Sequence, residues 1–448
     1  MKLPAVPPWR DGVSKRNCAV ALPAFALKSF GAVRLAFHPC SKLHVFRRRR
    51  IRFPHLGETL RWVKKKMPNR SAHNYLTINS KSDLEKFTGQ LEKQRIIGVD
   101  LEADSMYHFK EKVCLIQIAT QHATAVIDPL RIKNLSVLKP VFGRGDIQKV
   151  FHGADYDVRS LYRDFKININ NLFDTELACR FLGFKASGLD AVLTKRYNVH
   201  LNKKYQRKDW SKRPLPEEMV DYAAADVHYL LPLAKSLQQE LKQKGRISWV
   251  QEECAYLSKV RSANNDAGPL FLGFKGAGKL GSRGLAVLEE LLRLRKKIAQ
   301  RQDQPLFRIM GNKSILSMAE SRPQSINKLQ KTEALGTKQI DRYGKDVVAA
   351  VKTALRIPAK DLPKYPRKTA PMVPAIVAKR VKELRGWRDG LAKKLEIDPS
   401  IICTKALISA IAVQKPESLS SLSKIAELKT WQATGFGSDI IDILRKIG

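Results

Sequence analysis

RIIGVDLE, residues Arg95 to Glu102, is the stretch from which the fold can be read. Ile96, Ile97 and Val99 form a short apolar β-run, the pattern of a strand buried in a sheet. Asp100 and Glu102 follow with one residue between them, so a strand carries both carboxylates out on one face. Neighbouring carboxylates repel, and burial sharpens the repulsion unless a cation sits between them. Hard divalent cations such as Mg²⁺ or Mn²⁺ take such oxygen ligands. A D-x-E alone fits a solvated sheet edge equally well, so the rest of the chain has to decide.

Around this strand a globular pattern begins at Tyr75. Ser82, with Glu85 three residues on, reads as a helix entry. Further strands are expected at 113–119 (VCLIQIA), 124–128, 149–152 and 171–173. Helices are expected through Val158, Leu161 and Phe165, then over 175–183, 188–197 and 217–243. Strands bunched early and helices late predict an α/β fold, a mixed sheet covered by helices.

The chain of 448 residues has room for roughly three domains. Its net charge of +40 points to polyanionic partners, nucleic acid first. Residues 1–66 carry 16 Lys/Arg against Asp11 and Glu58 alone, with six prolines and the Arg47–Arg50 run. Residues 1–70 therefore read as a basic arm, either an organelle transit peptide or an unstructured extension before Met67. Six scattered cysteines without a C-x-x-C pair argue against a zinc module or disulfide framework and suit a reducing compartment, the cytoplasm. No apolar run reaches membrane-spanning length, so no membrane partner is expected.

The globular part is expected as a domain over 71–245, a linker over 246–283 and two small helical bundles over 284–358 and 375–448. GFKGAGKL at 273–280 has Walker-like spacing, but Leu280 stands where Ser or Thr should bind Mg²⁺ and no strand precedes it; it reads as Gly-rich linker. The bundles are an internal repeat: Ala319, Pro323, Leu329 and Tyr343-Gly344 recur as Ala412, Pro416, Leu422 and Phe436-Gly437. Residues 284–448 carry 32 Lys/Arg against 16 Asp/Glu, which favours backbone binding to nucleic acid over a purely structural cap.

Two more acidic motifs complete the candidate site. FHGADYDV (151–158) ends a strand, turns at Gly153 and starts a helix with Asp157 in its first turn. A carboxylate there is also a good helix N-terminal charge. DYAAADVHY (221–229) reads as a helix with Tyr222 and Asp226 one turn apart on one face, and small alanines that let it lie close to the sheet. Four carboxylates can hold two divalent ions roughly 3.5–4 Å apart, the clamp of two-metal phosphodiester hydrolysis. Tyr222 beside Asp226 is then placed to orient the attacking water, since a phenol with a pKa of about 10 is a poor base at neutral pH.

VDLE, HGADYDV and YAAAD, in this order, resemble the three motifs of the DEDD exonucleases, and Tyr222 matches their tyrosine subclass. VCLIQIA, Phe173-Asp174-Thr175 and KYQRKDWSKRPL (204–215) are similar to further segments of ribonuclease D, and the repeat resembles tandem HRDC domains. The resemblance implies a ribonuclease H-like mixed sheet flanked by helices, followed by two all-α HRDC bundles. It implies metal ligation by Asp100, Glu102, Asp157 and Asp226 and water positioning by Tyr222, with two Mg²⁺ or Mn²⁺ ions per site. The activity implied is 3′-5′ trimming of structured RNA with a free 3′ end, such as tRNA precursors, releasing nucleoside 5′-monophosphates. A DNA 3′-5′ exonuclease and a non-catalytic RNA-binding protein are the alternatives. Asp155 and Asp174 are left out of the ligand set. His152 is a candidate at the site or a hydrogen-bonded core histidine, and Tyr107 and Phe109 are candidates to stack on terminal bases or to pack.

Overall fold

The chain divides into two units, Met1–Lys66 and Met67–Gly448. The computed structural model describes residues 75–262, 268–366 and 373–448, all in the second unit; the basic arm read over 1–70 lies outside them.

Six strands form one mixed sheet in the order β1-β4-β3-β2-β5-β6. They are β1 (Tyr75–Ile78), β2 (Ile96–Ala103), β3 (Val113–Ala119), β4 (Thr124–Ile127), β5 (Gln148–Phe151) and β6 (Leu172–Asp174). Only β3 runs against its neighbours, with β2 and β4 on either side. β3 is buried along its whole length, as its unbroken apolar run predicts. In β2, Ile97, Val99 and Leu101 face the core on one side, and Gly98, Asp100 and Glu102 alternate to the other.

The early helices are α1 (Lys81–Leu91), α2 (Pro129–Ile132), α3 (Leu138–Gly143), α4 (Asp155–Phe165), α5 (Thr175–Phe181) and α6 (Leu189–Tyr197). α1 starts two residues earlier than expected. Ser80, not Ser82, is its cap, accepting from the Asp83 N–H at 3.1 Å, because Ser80-x-x-Asp83 offers the same motif one position set earlier. The expected helix over 217–243 is two helices, α7 (Glu217–His228) and α8 (Leu230–Gln243), meeting at Tyr229. Pro232 explains the break: it has no N–H to give, and its ring clashes with the carbonyl four residues back, that of His228.

The stretch 246–283, expected as a linker, is ordered where it is described. It carries α9 (Ile247–Leu257), whose Val250 and Cys254 are buried, and two short 3₁₀ turns with Phe271, Phe274 and Ala277 buried. Its apolar residues were spaced too irregularly to announce a helix. The Walker-like glycines sit in these turns against the first bundle; Gly278 lies against the Tyr365 ring.

The first bundle comprises α10 (Ser282–Gln302), α11 (Leu306–Ile309), α12 (Asn312–Ser321), α13 (Ile326–Lys331) and α14 (Thr337–Leu355). The second comprises α15 (Ala375–Leu395), α16 (Pro399–Ile402), α17 (Lys405–Gln414), α18 (Leu419–Leu422) and α19 (Thr430–Ile447). Every helix of the second starts 93 residues after its counterpart in the first. The first bundle has a core of its own, whereas the second shares one continuous core with the sheet domain. No helix among the described residues is long and apolar enough to cross a membrane.

Candidate active site

β2 delivers Asp100 and Glu102 to the sheet face that α7 and α8 cover. Gly98 stands on that same face, two residues before Asp100. A Cβ there would lie 3.2 Å from Leu230 Cβ and 3.5 Å from the Val227 carbonyl, so the missing side chain lets the α7–α8 junction come down on the strand. The buried Ala223 and Ala224 do the same one turn earlier, while Ala225 points to solvent. Asp226 is thereby brought to Asp100 and Glu102, with one carboxylate oxygen of each within 4.8 Å of the others. At that separation and an effective dielectric constant of about 20, each ionised pair repels by roughly 3–4 kcal/mol.

Asp157, in the first turn of α4, lies near enough to raise Asp100 and Glu102 electrostatically, but its carboxylate is not among the three that gather within 4.8 Å. The turn before it is tied by Asp174, whose carboxylate accepts from the Gly153 and Ala154 N–H groups at 2.9 and 2.8 Å and also caps α5. Gly153 sits at φ +77°, a left-handed conformation that a side chain disfavours. Asp174 is therefore the structural acid of the motif, and Asp155 is engaged by Arg159 at 2.8 Å.

Burial and mutual repulsion push the carboxylates upward. For Asp100 the causes are burial, then Asp157 and Asp226; for Glu102 they are burial, then Asp100, Asp226 and Asp157. Burial raises Asp157, with Asp174 and Asp155 adding to it. Burial raises Asp226 to about 6, although the Tyr222 hydroxyl opposes this by donating to it. Burial and the same acids hold the Tyr222 phenol well above its ordinary value, so it keeps its proton. Its ring is flanked by Tyr205 and Trp210, with centroids 6.0 and 6.1 Å away.

Asp100, Glu102 and Asp226, with Asp157 close enough to act on them electrostatically and no cationic partner among the described residues, are an all-oxygen donor set of the kind a hard divalent ion neutralises. By strand register Gln117 stands opposite Asp100, fully buried, with neither amide atom hydrogen-bonded. A buried amide of this kind beside the acids can be satisfied by an ordered water or an ion. The residues present fit a divalent metal centre.

The outer candidates go elsewhere. His152 bonds Thr175 Oγ1 at 2.9 Å, and burial pushes its pKa down to about 4, a neutral histidine of the interior. Thr175 in turn donates to the Phe151 carbonyl. Phe109 packs on the core of the first bundle, and its N–H donates to Asp303 at 3.1 Å. The Tyr107 hydroxyl donates to the Arg207 carbonyl, and its ring face is taken by Arg308, 4.5 Å from the centroid. Aromatic residues just after the strand gave no sign that a distant bundle would cover them.

Sequence reasoning missed Gly98, Gln117, Trp210 and His108. His108 bonds Asp303 and Ser211 at 2.8 and 2.9 Å, joining the loop after β2 to the first bundle and to the segment that packs Tyr222. The tryptophan lay inside KYQRKDWSKRPL, so that resemblance was its available signal. A single loop histidine offered none.

The 3′-5′ exonuclease family matches residues 75–242, and the HRDC domain family matches 284–351 and 377–444. Protein RRP6-like 3 of Arabidopsis thaliana is 43% identical over 171 residues, 38% of this chain and 19% of that protein. The chain likewise spans about a third or less of the length of exosome complex component 10 of Homo sapiens, at 29%. Among solved structures, Escherichia coli RNase D superimposes with a TM-score of 0.63 at 25% identity, covering 84% of this chain and 99% of that one. The catalytic core of RRP6 from Trypanosoma brucei superimposes with a TM-score of 0.55 at 32% identity, covering 67% and 85%.

Proposed function

The chain belongs to the 3′-5′ exonuclease family that includes ribonuclease D and RRP6, and from that premise we propose that it is a metal-dependent 3′-5′ exoribonuclease. Its substrates in this reading are structured RNAs with a free 3′ end, such as tRNA precursors, and its products are nucleoside 5′-monophosphates. The observation that carries the reading is the convergence of Asp100, Glu102 and Asp226 within 4.8 Å beneath a hydrogen-bonded Tyr222. Asp157 completes the ligand set. Two Mg²⁺ or Mn²⁺ ions bound there would supply Lewis-acid stabilisation to the attacking and leaving oxygens of a phosphodiester.

The protein's own residues do the rest. Tyr222 keeps its proton, so it acts as a hydrogen-bond donor that orients water rather than as a base. Tyr205 and Trp210 hold its ring from two sides. In this reading the protein works in the cytoplasm; fluorescent fusions with and without residues 1–66 test it, and import that depends on the arm would overturn it.

The test is hydrolysis of a tRNA carrying a 3′ extension. Asp100→Ala and Asp226→Ala should abolish it, EDTA should do the same, and added Mg²⁺ or Mn²⁺ should restore it. Tyr222→Phe should lower kcat by roughly 10²-fold, the scale of a misplaced reactant, with RNA affinity unchanged. Full activity in EDTA, or preference for DNA over RNA of the same sequence, would overturn the proposal.

A pH dependence follows from the raised carboxylates. A raised acid stabilises the fold below its unfolded pKa, near 4, and that contribution is lost as pH rises through the folded value, about 6 for Asp226. The ion-free protein should therefore lose stability between pH 4 and about 6–7, where an ion binding ionised ligands restores it. Thermal scans should give a larger Mg²⁺-dependent rise in Tm at pH 7.5 than at pH 5. An equal rise at both would mean that the ion binds away from these acids.

A further inference from the structure

In the first bundle, residues 268–280 run as two 3₁₀ turns across the groove between α10 and α12. Phe271, Phe274 and Ala277 of this cover are buried in the bundle core. The Phe271 N–H donates to Glu289 at 3.1 Å, and Leu316 lies against Gly276. Beneath the cover, Leu285, Leu288 and Leu292 are buried.

At the repeat offset of 93, those positions in the second bundle are Ala378, Val381 and Arg385, and Glu289 becomes Lys382. Here the corresponding groove, between α15 and α17, is left uncovered by the described residues, with a volume of about 540 Å³ walled by Val373, Val377, Val381 and Val413. Val413 is 66% exposed and Val373 57%. The residues that would correspond to the cover begin at 361, but Leu362 and Tyr365 pack on the first bundle instead, with the Tyr365 ring 6.4 Å from that of Phe271.

We propose that this groove is the docking site of a protein partner presenting a short apolar segment, anchored by Phe or Leu and flanked by acidic residues. The repeat itself shows the shape such a groove receives: a Phe-bearing segment of about a dozen residues. The rim sets the charge. Lys382 and Arg385 are exposed and pair with no described residue, where the first bundle has Glu289 and Leu292. The chain's own candidates carry the wrong sign: 367–372 holds Arg367 and Lys368 with no acid, and 1–66 holds 16 Lys/Arg against two acids. RNA phosphates would satisfy the two cations but leave the four valines wet, and buried apolar area supplies most of such binding.

The probe is a fluorescein-labelled peptide of residues 268–280 with Lys275 and Lys279 replaced by Glu, titrated with the full chain. Saturable binding is expected, and Val413→Glu should weaken it at least tenfold while leaving Tm unchanged, because that side chain is exposed. Lys382→Glu with Arg385→Glu should weaken the acidic peptide and strengthen the unaltered lysine-bearing one. That swap of preference locates the site even if either variant shifts stability. Failure of the acidic peptide to bind, or binding indifferent to Val413→Glu, overturns the proposal. So does displacement by a single-stranded RNA whose own binding is lost in Val413→Glu, since the groove would then belong to RNA.

Discussion

The two bundles share a register to the residue, yet they are held to the sheet domain by different physics. Both keep the same internal devices. Gln339 donates to the Ile309 carbonyl and Gln432 to the Ile402 carbonyl, while Gly344 and Gly437 each admit a leucine of the preceding short helix. They differ in what their long first helix buries: eleven of 21 residues in α10 but three of 21 in α15. The first bundle is a self-contained core under its own cover. It meets the sheet domain through a small contact at the loop that follows the metal-ligand strand, where Phe109 packs on its core and Asp303 accepts from His108 and the Phe109 N–H. The second completes its core with α5 and α9: Trp431 stacks on Trp249 at 4.8 Å and meets the edge of Phe181 at 5.6 Å. A repeat therefore specifies the bundle, and a few residues on one face specify whether it is an independent body or part of the enzyme.

The sharpest way to break this comparison is at one repeat position. Trp431 is 4% exposed in the interface, and its counterpart in the first bundle is the exposed Lys338. Trp431→Ala should cost about 3–5 kcal/mol of unfolding free energy, the range for large buried aromatics. Lys338→Ala should stay within about 0.5 kcal/mol. Denaturant titration followed by tryptophan fluorescence measures both; similar costs would mean that the second bundle is not fused to the core. Next in size is Glu252 of α9, whose carboxylate accepts from the Thr430 and Trp431 N–H groups at 2.7 and 2.8 Å, capping α19 from another domain. α14, its equivalent, has Gly336 as its N-cap and no such partner from the sheet domain among the described residues. Glu252→Ala should cost about 1–2 kcal/mol, the scale of a lost cap.

These two residues also mark where the sequence was opaque. The sheet, the acidic motifs and the repeat were legible because each rests on local periodicity or spacing: alternation in β2, an i, i+4 pair in α7, identical offsets in the bundles. Pro232 was equally visible and should have split α7 from α8. Docking was not legible, because Trp249 and Trp431 lie 182 positions apart and nothing near either one announces the other. The same applies to Phe109, which read as a loop aromatic until the first bundle was seen to cover it. Because the second bundle shares its core with the sheet domain, removing residues 284–448 should destabilise the domain that holds the site, although it deletes none of the acidic motifs.

RNA binding offers a gentler contrast. The first bundle, 284–358, carries 15 Lys/Arg against 7 Asp/Glu, and the second, 375–448, carries 13 against 8. With the proposed substrate, Arg301→Glu should reduce the slope of log affinity against log salt by roughly 0.7–0.9, one lost phosphate contact. Its exposed repeat partner Lys394→Glu should change the slope less, since the first bundle is the one that abuts the loop after β2. Equal slopes would assign both bundles the same share of the RNA backbone.

The smallest expected effect is at the polar joint of the first bundle. Asp303 occupies a left-handed C-cap at φ 46°, and its carboxylate accepts from His108 Nδ1 at 2.8 Å and from the Phe109 N–H. Its side chain is 64% exposed, so solvent and salt screen the pair, and such contacts contribute less than about 1 kcal/mol. Asp303→Ala should thus leave Tm almost unmoved. The consequence is local instead. His108 Nε2 also bonds Ser211, next to Trp210 and hence to the packing of Tyr222. Hydrogen exchange should quicken over 104–109 and 209–213, with a modest fall in kcat and no change in RNA affinity. If exchange rises across the whole first bundle, the joint carries its stability, and the contrast with the second bundle disappears. If kcat is untouched while the loop loosens, the first bundle holds that loop without helping to align Tyr222.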